Sequence, residues 1–193
     1  MGVIEVLDAD AARRALAVGG LRCPSCESGR LRSWGHARER GVRGLDGIWR
    51  VRPDRARCQS CRATHVVLPA RLLAHRGYGL DVIGAALAGA ARGAGHRTLA
   101  ARLGAPADTV RSWLRRARAN SEALRRVGVQ TVVALDQELL PTRVEASPLA
   151  DALAALAAAG LAAVRRFGGD ERDLWPVIAL LTRGRLLAPT LAT

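Results

Sequence analysis

Cys23 and Cys26 in "CPSC" and Cys58 and Cys61 in "CQSC" form two thiol pairs separated by 31 residues. Two thiols with two residues between them grip one ion from a tight turn, and a second such pair completes a tetrahedron. Four cysteines and no open position are the donor set of a structural Zn2+ ion, because zinc catalysis requires a place for water or substrate. One structural Zn2+ on Cys23, Cys26, Cys58 and Cys61 is therefore the expected cofactor, with rubredoxin-like iron as the alternative. Disulfides are disfavoured in a reducing cytoplasm, and free thiols leave the paired spacing without a reason.

Short segments must position these thiols. Residues 21–68 read as a four-cysteine zinc ribbon, with "RLRSWGH" and "IWRVR" as strands and Asp46-Gly47 as a hairpin turn. A module of fewer than about fifty residues buries little apolar surface, and a structural zinc supplies on the order of 10 kcal/mol in its place. Trp34 and Trp49 are expected in its small core, and His36 and His65 at its surface or against phosphates. Residues 1–20 read as an amphipathic lead helix ended by Gly19-Gly20.

Beyond Pro69 the pattern turns helical, first in "LDVIGAALAGAARG" behind a possible Asp81 cap. In "HRTLAARLGAPADTVRSWLR", residues 96–115, apolar side chains fall at Leu99, Leu103, Ala105, Val110 and Trp113, with Ala100 and Gly104 at the close-packed and turn positions. Small residues let two helices cross closely, and Gly permits the turn. The window resembles the helix-turn-helix of bacterial repressors, resolvases and transposases. The resemblance implies that the second helix enters the major groove with Pro106, Ala107, Asp108, Arg111, Ser112 and Arg115 near base edges. Arg116, Arg118, Arg125 and Arg126 continue the basic surface as phosphate contacts. The domain is set at residues 69–126.

All 30 basic residues are Arg, against 17 acids, for a net charge of +13. Residues 1–126 carry 24 Arg and 10 acids, whereas residues 127–193 carry 6 and 7. A coding bias towards Arg does not by itself segregate charge in this way, so the first part is expected to meet a polyanion, double-stranded DNA before any acidic membrane surface. The start "MGVIEVLDADAARR" lacks a secretory pattern, and "ALAALAAAGLAAV" reads as too short and Ala-rich to span a bilayer. The expectation is a cytoplasmic, nucleoid-associated protein without a membrane partner. Residues 127–193 read as an Ala- and Leu-rich helical segment that either dimerises, binds a partner or folds back, with one β-like run in "TVVAL" and helices near 147–167 and 175–187.

Together, "CPSC", "RARCQSC", "TH" and the window above resemble the zinc-ribbon plus helix-turn-helix front end of transposases. They are most similar to a DNA-binding family of unknown function from GC-rich bacteria. Glu27 and Arg62 depart from that pattern, standing where Gly often follows the second Cys of a knuckle. A transposase adds a sheet carrying three carboxylates for two metal ions. "TVVALD", ending in Asp136, looks like its first strand and acid, but the residues after it lack the strands to continue that sheet. Glu138, Glu145, Asp151 and "DERD" at 170–173 read as solvated charges.

The expected fold is mainly α with a small β zinc ribbon: the ribbon, a helix-turn-helix trihelical domain and a helical C-terminal segment. The expected function is non-enzymatic DNA binding, as a transcriptional regulator or as the DNA-recognition component of a mobile element, working as a homodimer or with a separate integrase or transposase chain. The rivals are a zinc-stabilised protein-protein interaction module and, behind it, a truncated transposase with a residual catalytic role.

Overall fold

The computed structural model describes residues 2–188. Its first half is built on β-structure. β1 (Gly2–Val6) leads into α1 (Ala9–Val18), followed by β2 (Leu31–His36), β3 (Arg40–Gly44), β4 (Gly47–Val51), β5 (Asp54–Cys58) and β6 (Thr64–Pro69). One sheet has the order β1-β6-β5-β2, with β1 parallel to β6 and the other pairs antiparallel; β3 and β4 form a separate hairpin.

This overturns the expectation of a mainly α chain with a small β ribbon: among the described residues helix accounts for 47 % and strand for 20 %, with six strands in the first half. Two sequence features hid the strands. The lead helix expected over 1–20 covers only its later part: "GVIEV" is a strand whose partner lies 63 residues on, with Val3 opposite Val66 and Ile4 opposite Val67. In β5, Arg55 and Arg57 alternate with buried Asp54, Ala56 and Cys58, so a half-buried strand looked like an Arg-rich connection. The hairpin also shifts by one residue. Gly44 pairs with Gly47, which places Leu45 and Asp46 in the turn.

α1 starts where Asp8 accepts hydrogen bonds from the amides of Asp10 and Ala11. It lays Ala12 and Leu16 on one sheet face against Leu31, Ala56, Val67 and the buried thiols Cys23 and Cys58. The hairpin covers part of the other face through Val42, Leu68 and Leu72, with Val3, Trp49 and Val51 around them. Asp81 was expected to cap a helix. Instead its Oδ2 accepts from the Leu45 amide at 2.7 Å and clasps the hairpin turn.

The second half is helical: α2 (Leu80–Ala91), α3 (His96–Leu103), α4 (Ala107–Ala119), α5 (Ser121–Leu135), a 3-10 turn at Gln137–Leu139, α6 (Pro148–Phe167) and α7 (Trp175–Leu181). α2 is buried on nearly every side, and one continuous core joins Leu80, Ile83 and Leu87 to Leu99, Val110, Trp113, Leu156, Ile178 and Leu186.

The β-like "TVVAL" lies inside α5. Thr131 donates its hydroxyl to the Val127 carbonyl at 2.8 Å, and Val132 is buried, so packing overrides the β-branched preference. Asp136 therefore ends a helix and accepts from the Glu138 amide rather than standing on a strand. α6, capped by Ser147 at the Ala150 amide, is 20 residues long. Among the described residues it is the one helix long and apolar enough to cross a membrane, but 56 % of that stretch is buried inside the protein. Its small-residue stripe folds back on α5, where the Gly128 backbone meets Ala155.

A methyl group added at Gly128 would sit 2.6 Å from the Ala155 backbone carbonyl carbon, and a backbone cannot step aside. Gly128→Ala is expected to cost about 1–3 kcal/mol through overpacking and to lower the thermal midpoint by several degrees. A midpoint unchanged in calorimetry would mean that α5 and α6 are not so closely packed.

Candidate functional site

The four cysteines come from two loops at one end of the sheet. Cys23 and Cys26 lie between α1 and β2, while Cys58 ends β5 and Cys61 sits in the turn to β6. Each knuckle is closed by a backbone bond: the Cys23 amide donates to the Gly29 carbonyl at 2.8 Å and the Cys58 amide to the Ala63 carbonyl at 2.9 Å. Leu31 opposite Cys58 fixes the register between them.

All four Sγ atoms lie within 4.8 Å of one another. Cys23 to Cys61 and Cys26 to Cys58 are both 3.7 Å. Sulfurs bound at about 2.3 Å to one tetrahedral ion stand about 3.8 Å apart, so these two edges already have the size of a metal tetrahedron. Cys23 and Cys58 are 1 % exposed, Cys26 is half-buried and Cys61 is exposed, which gives a metal a solvent-facing side.

Amides aimed at sulfur prepare the site for thiolates. The Ser25 amide donates to Cys23 Sγ and the Cys61 amide to Cys58 Sγ, each at 3.4 Å. Burial pushes the Cys58 thiol up, but the amides of Cys61 and Ser60 and the neighbouring thiols outweigh it and hold it down at about 6. At Cys61 the Ala63 amide pulls down, but burial and the sulfurs of Cys58, Cys26 and Cys23 drive the thiol up to about 12. Adjacent thiolates resist sharing a pocket unless a cation joins them, which is why metal binding to such sets releases protons.

Four residues beyond the cysteines shape the centre. His65, expected at the surface, is 1 % exposed, with Nε2 3.5 Å from Cys23 Sγ. Burial lowers its pKa, and its ring nitrogen is within hydrogen-bonding distance of the Cys23 sulfur. Alternation along "THVVLP" carried the signal, since His65 and Val67 share the inward face. Gly29 is the second: a Cβ there would strike Cys58 Sγ and lie 3.0 Å from Cys26 Sγ. Glu27 and Arg62 do depart from glycine, and both adopt left-handed backbone, φ 57° and 64°. Each holds a conformation that disfavours a side chain by about 1 kcal/mol or more.

The second candidate surface is α4. Val110, Trp113, Leu114 and Ala117 are buried, and Trp113 meets Tyr78 edge-on with ring centroids 5.0 Å apart. Pro106, Ala107, Asp108, Arg111, Arg115 and Arg118 are exposed, and Ser112 and Arg116 are half-buried. α3 and α4 are joined through Gly104 at φ 60°, and Leu99, Ala100 and Ala105 are buried beneath the turn. None of Arg111, Arg115, Arg116 or Arg118 makes an ion pair among the described residues. Arg125 and Arg126, grouped with them from sequence, instead engage Glu122 at 2.9 Å and 3.9 Å. The Arg125 hydrogen bond holds the Glu122 carboxyl below its usual range, and Glu122 in turn raises Arg125.

Trp34 is also placed differently from expectation. It is 50 % exposed, not part of the core, whereas Trp49, in the hairpin's second strand, is half-buried against the small core of Val42, Leu68 and Leu72. His36 Nδ1 lies 3.0 Å from the buried carboxylate of Asp54, which Arg13 also holds at 3.2 Å.

A family model described as a domain of unknown function (DUF6431) matches residues 23–113. The match runs from the first cysteine of the cluster to Trp113 in α4. No curated protein and no solved structure matches the chain.

Gly29→Ala is expected to abolish stoichiometric metal binding, measured by elemental analysis of the purified protein, as completely as Cys23→Ser. Glu27→Gly should preserve it, since Gly relieves the left-handed strain. Full metal content in Gly29→Ala would show that Cys58 is not held against residue 29.

Proposed function

We propose that this protein binds double-stranded DNA without catalysing a reaction on it, with one structural Zn2+ on Cys23, Cys26, Cys58 and Cys61. The carrying observation is the outer face of α4. Asp108, Arg111, Arg115 and Arg118 recur at helical spacing on the exposed side, opposite a face sealed by Val110, Trp113, Leu114 and Ala117. Unpaired guanidinium groups on a firmly backed helix suit guanine edges and phosphates. Pro106 to Asp108 open the helix at its groove-facing end in this reading, with Arg111, Ser112 and Arg115 reading bases and Arg116 and Arg118 gripping backbone.

Zinc is favoured over iron by chemistry rather than distance, because both fit a four-thiolate tetrahedron. The cluster joins two loops around a core of only seven buried residues, so the ion replaces packing. A regulator and the recognition component of a mobile element use the same surface. The described residues after Asp136, up to residue 188, are helical or irregular, which supports a binding role over a residual transposase activity.

Selection of bound duplexes from a random pool at near-physiological salt is expected to enrich one motif, and a palindrome would indicate a symmetric dimer. Arg111→Ala with Arg115→Ala should lower affinity for that motif by about 10- to 100-fold and erase preference over random duplex. Retained preference would remove α4 from the role, and no duplex binding by the native protein would favour the protein-interaction module.

A further inference from the structure

β2 carries one extra residue against β5. Ser33 pairs with Ala56 and His36 with Asp54, so three steps on one strand oppose two on the other. Gly35, at φ 74°, takes the left-handed backbone of this bulge. The extra residue lets His36 join Asp54 on the α1 side while Trp34 stays on the opposite face with Arg32.

On that opposite face, Arg32 stands directly across from Arg57, and Arg55 follows two residues along. Like charges directly opposite one another destabilise a strand pair. Arg32 has a tether, donating to the Ala17 carbonyl at 2.7 Å. Arg55 and Arg57 have no ion pair or hydrogen-bond partner among the described residues, and the Nε of each is buried. The acid nearest in sequence, Asp54, faces the other way and is taken up by Arg13 and His36. Arg57 lies over the Trp34 ring, 4.7 Å from its centroid, yet Trp34 stays 50 % exposed, so indole surface remains for a ligand.

Buried guanidinium nitrogen without a partner is costly, and a phosphate oxygen is the acceptor that suits it. Phosphate alone gives no use to an indole. An aromatic ring beside arginines on an open sheet face matches an unpaired base with its flanking phosphates, because duplex bases are already stacked on each other.

We propose that the outer face of β2 and β5, centred on Trp34 and Arg57, stacks an unpaired base of single-stranded DNA. The choice of DNA over RNA rests on the duplex-DNA reading of α4; the single-strand site itself does not. A protein with both surfaces engages a duplex where one strand is open, as at a frayed end or a bubble.

The test is fluorescence anisotropy of the full-length, metal-containing protein with a labelled oligothymidylate of about 12 nucleotides, a length single-strand binders cover, beside a labelled duplex. An RNA strand of the same length, oligouridylate, forms a third arm. Trp34→Ala is expected to weaken single-strand affinity about 5- to 100-fold, Trp34→Phe to keep most of it, and both to leave duplex affinity and metal content unchanged. Arg57→Gln should weaken single-strand binding and its salt dependence together. Arg111→Ala with Arg115→Ala should spare it, so failure of the α4 reading shows in the duplex arm alone. The proposal is overturned if the native protein ignores the single strand, if Trp34→Ala binds it as tightly as native, or if both affinities fall in parallel. Equal or tighter binding of oligouridylate would overturn the choice of DNA.

Discussion

Four sulfurs confined within 4.8 Å set the terms for the N-terminal half of this chain. Thiolates at that separation repel, and the knuckle amides offset only part of the repulsion. A metal ion held by all four would turn the repulsion into attraction and tie the loop after α1 to the β5–β6 turn. The inner core of the sheet between them is small, two side chains from α1 and five from the sheet and loops, and two of those seven are thiols of the cluster.

From the cysteine cluster outward the order reaches the helices through backbone rather than through large side-chain contacts. The Gly79 amide donates to the Arg43 carbonyl at 2.8 Å and the Arg43 amide to the Gly77 carbonyl at 3.0 Å, so the hairpin edge continues into the segment that starts α2. Asp81, one residue inside α2, holds the hairpin turn. On the far side of α2 the core runs without a break to Val110 and Trp113 beneath the arginines of α4. The orientation of the basic helix is thus fixed by α2, and α2 by the hairpin.

Legibility in the sequence followed whether the signal was local. The thiol pairs, the glycine turn at Gly104 and the apolar backing of α4 depend on neighbours a few residues apart, and each was readable from spacing. β1 depends on a partner 63 residues on, and five residues of "GVIEV" do not distinguish strand from helix entry. β5 carries arginine at its outward positions, so its alternation was visible only once Asp54, Ala56 and Cys58 were known to face inward. Sequence places Trp34 in the core, because a small module has few apolar residues to spare. α1, which supplies Ala12 and Leu16, met that need from outside the segment and left the indole free.

The same sheet therefore solves two problems with its two faces. The α1 face is neutralised and sealed: Asp54 is held by Arg13 and His36, and the aliphatic side chains and two thiols fill the rest. The outer face accumulates charge without compensation, with Arg32 opposite Arg57 and Arg55 beside them. A single inserted residue in β2 separates these environments, since without it Gly35 rather than His36 would stand opposite Asp54, and the buried carboxylate would lose one of its two cationic or hydrogen-bonding neighbours. Segregating the acid to the inner face leaves the outer one with unopposed positive potential next to an accessible aromatic ring. That arrangement costs the isolated protein stability and is recovered when an anionic, stackable ligand arrives.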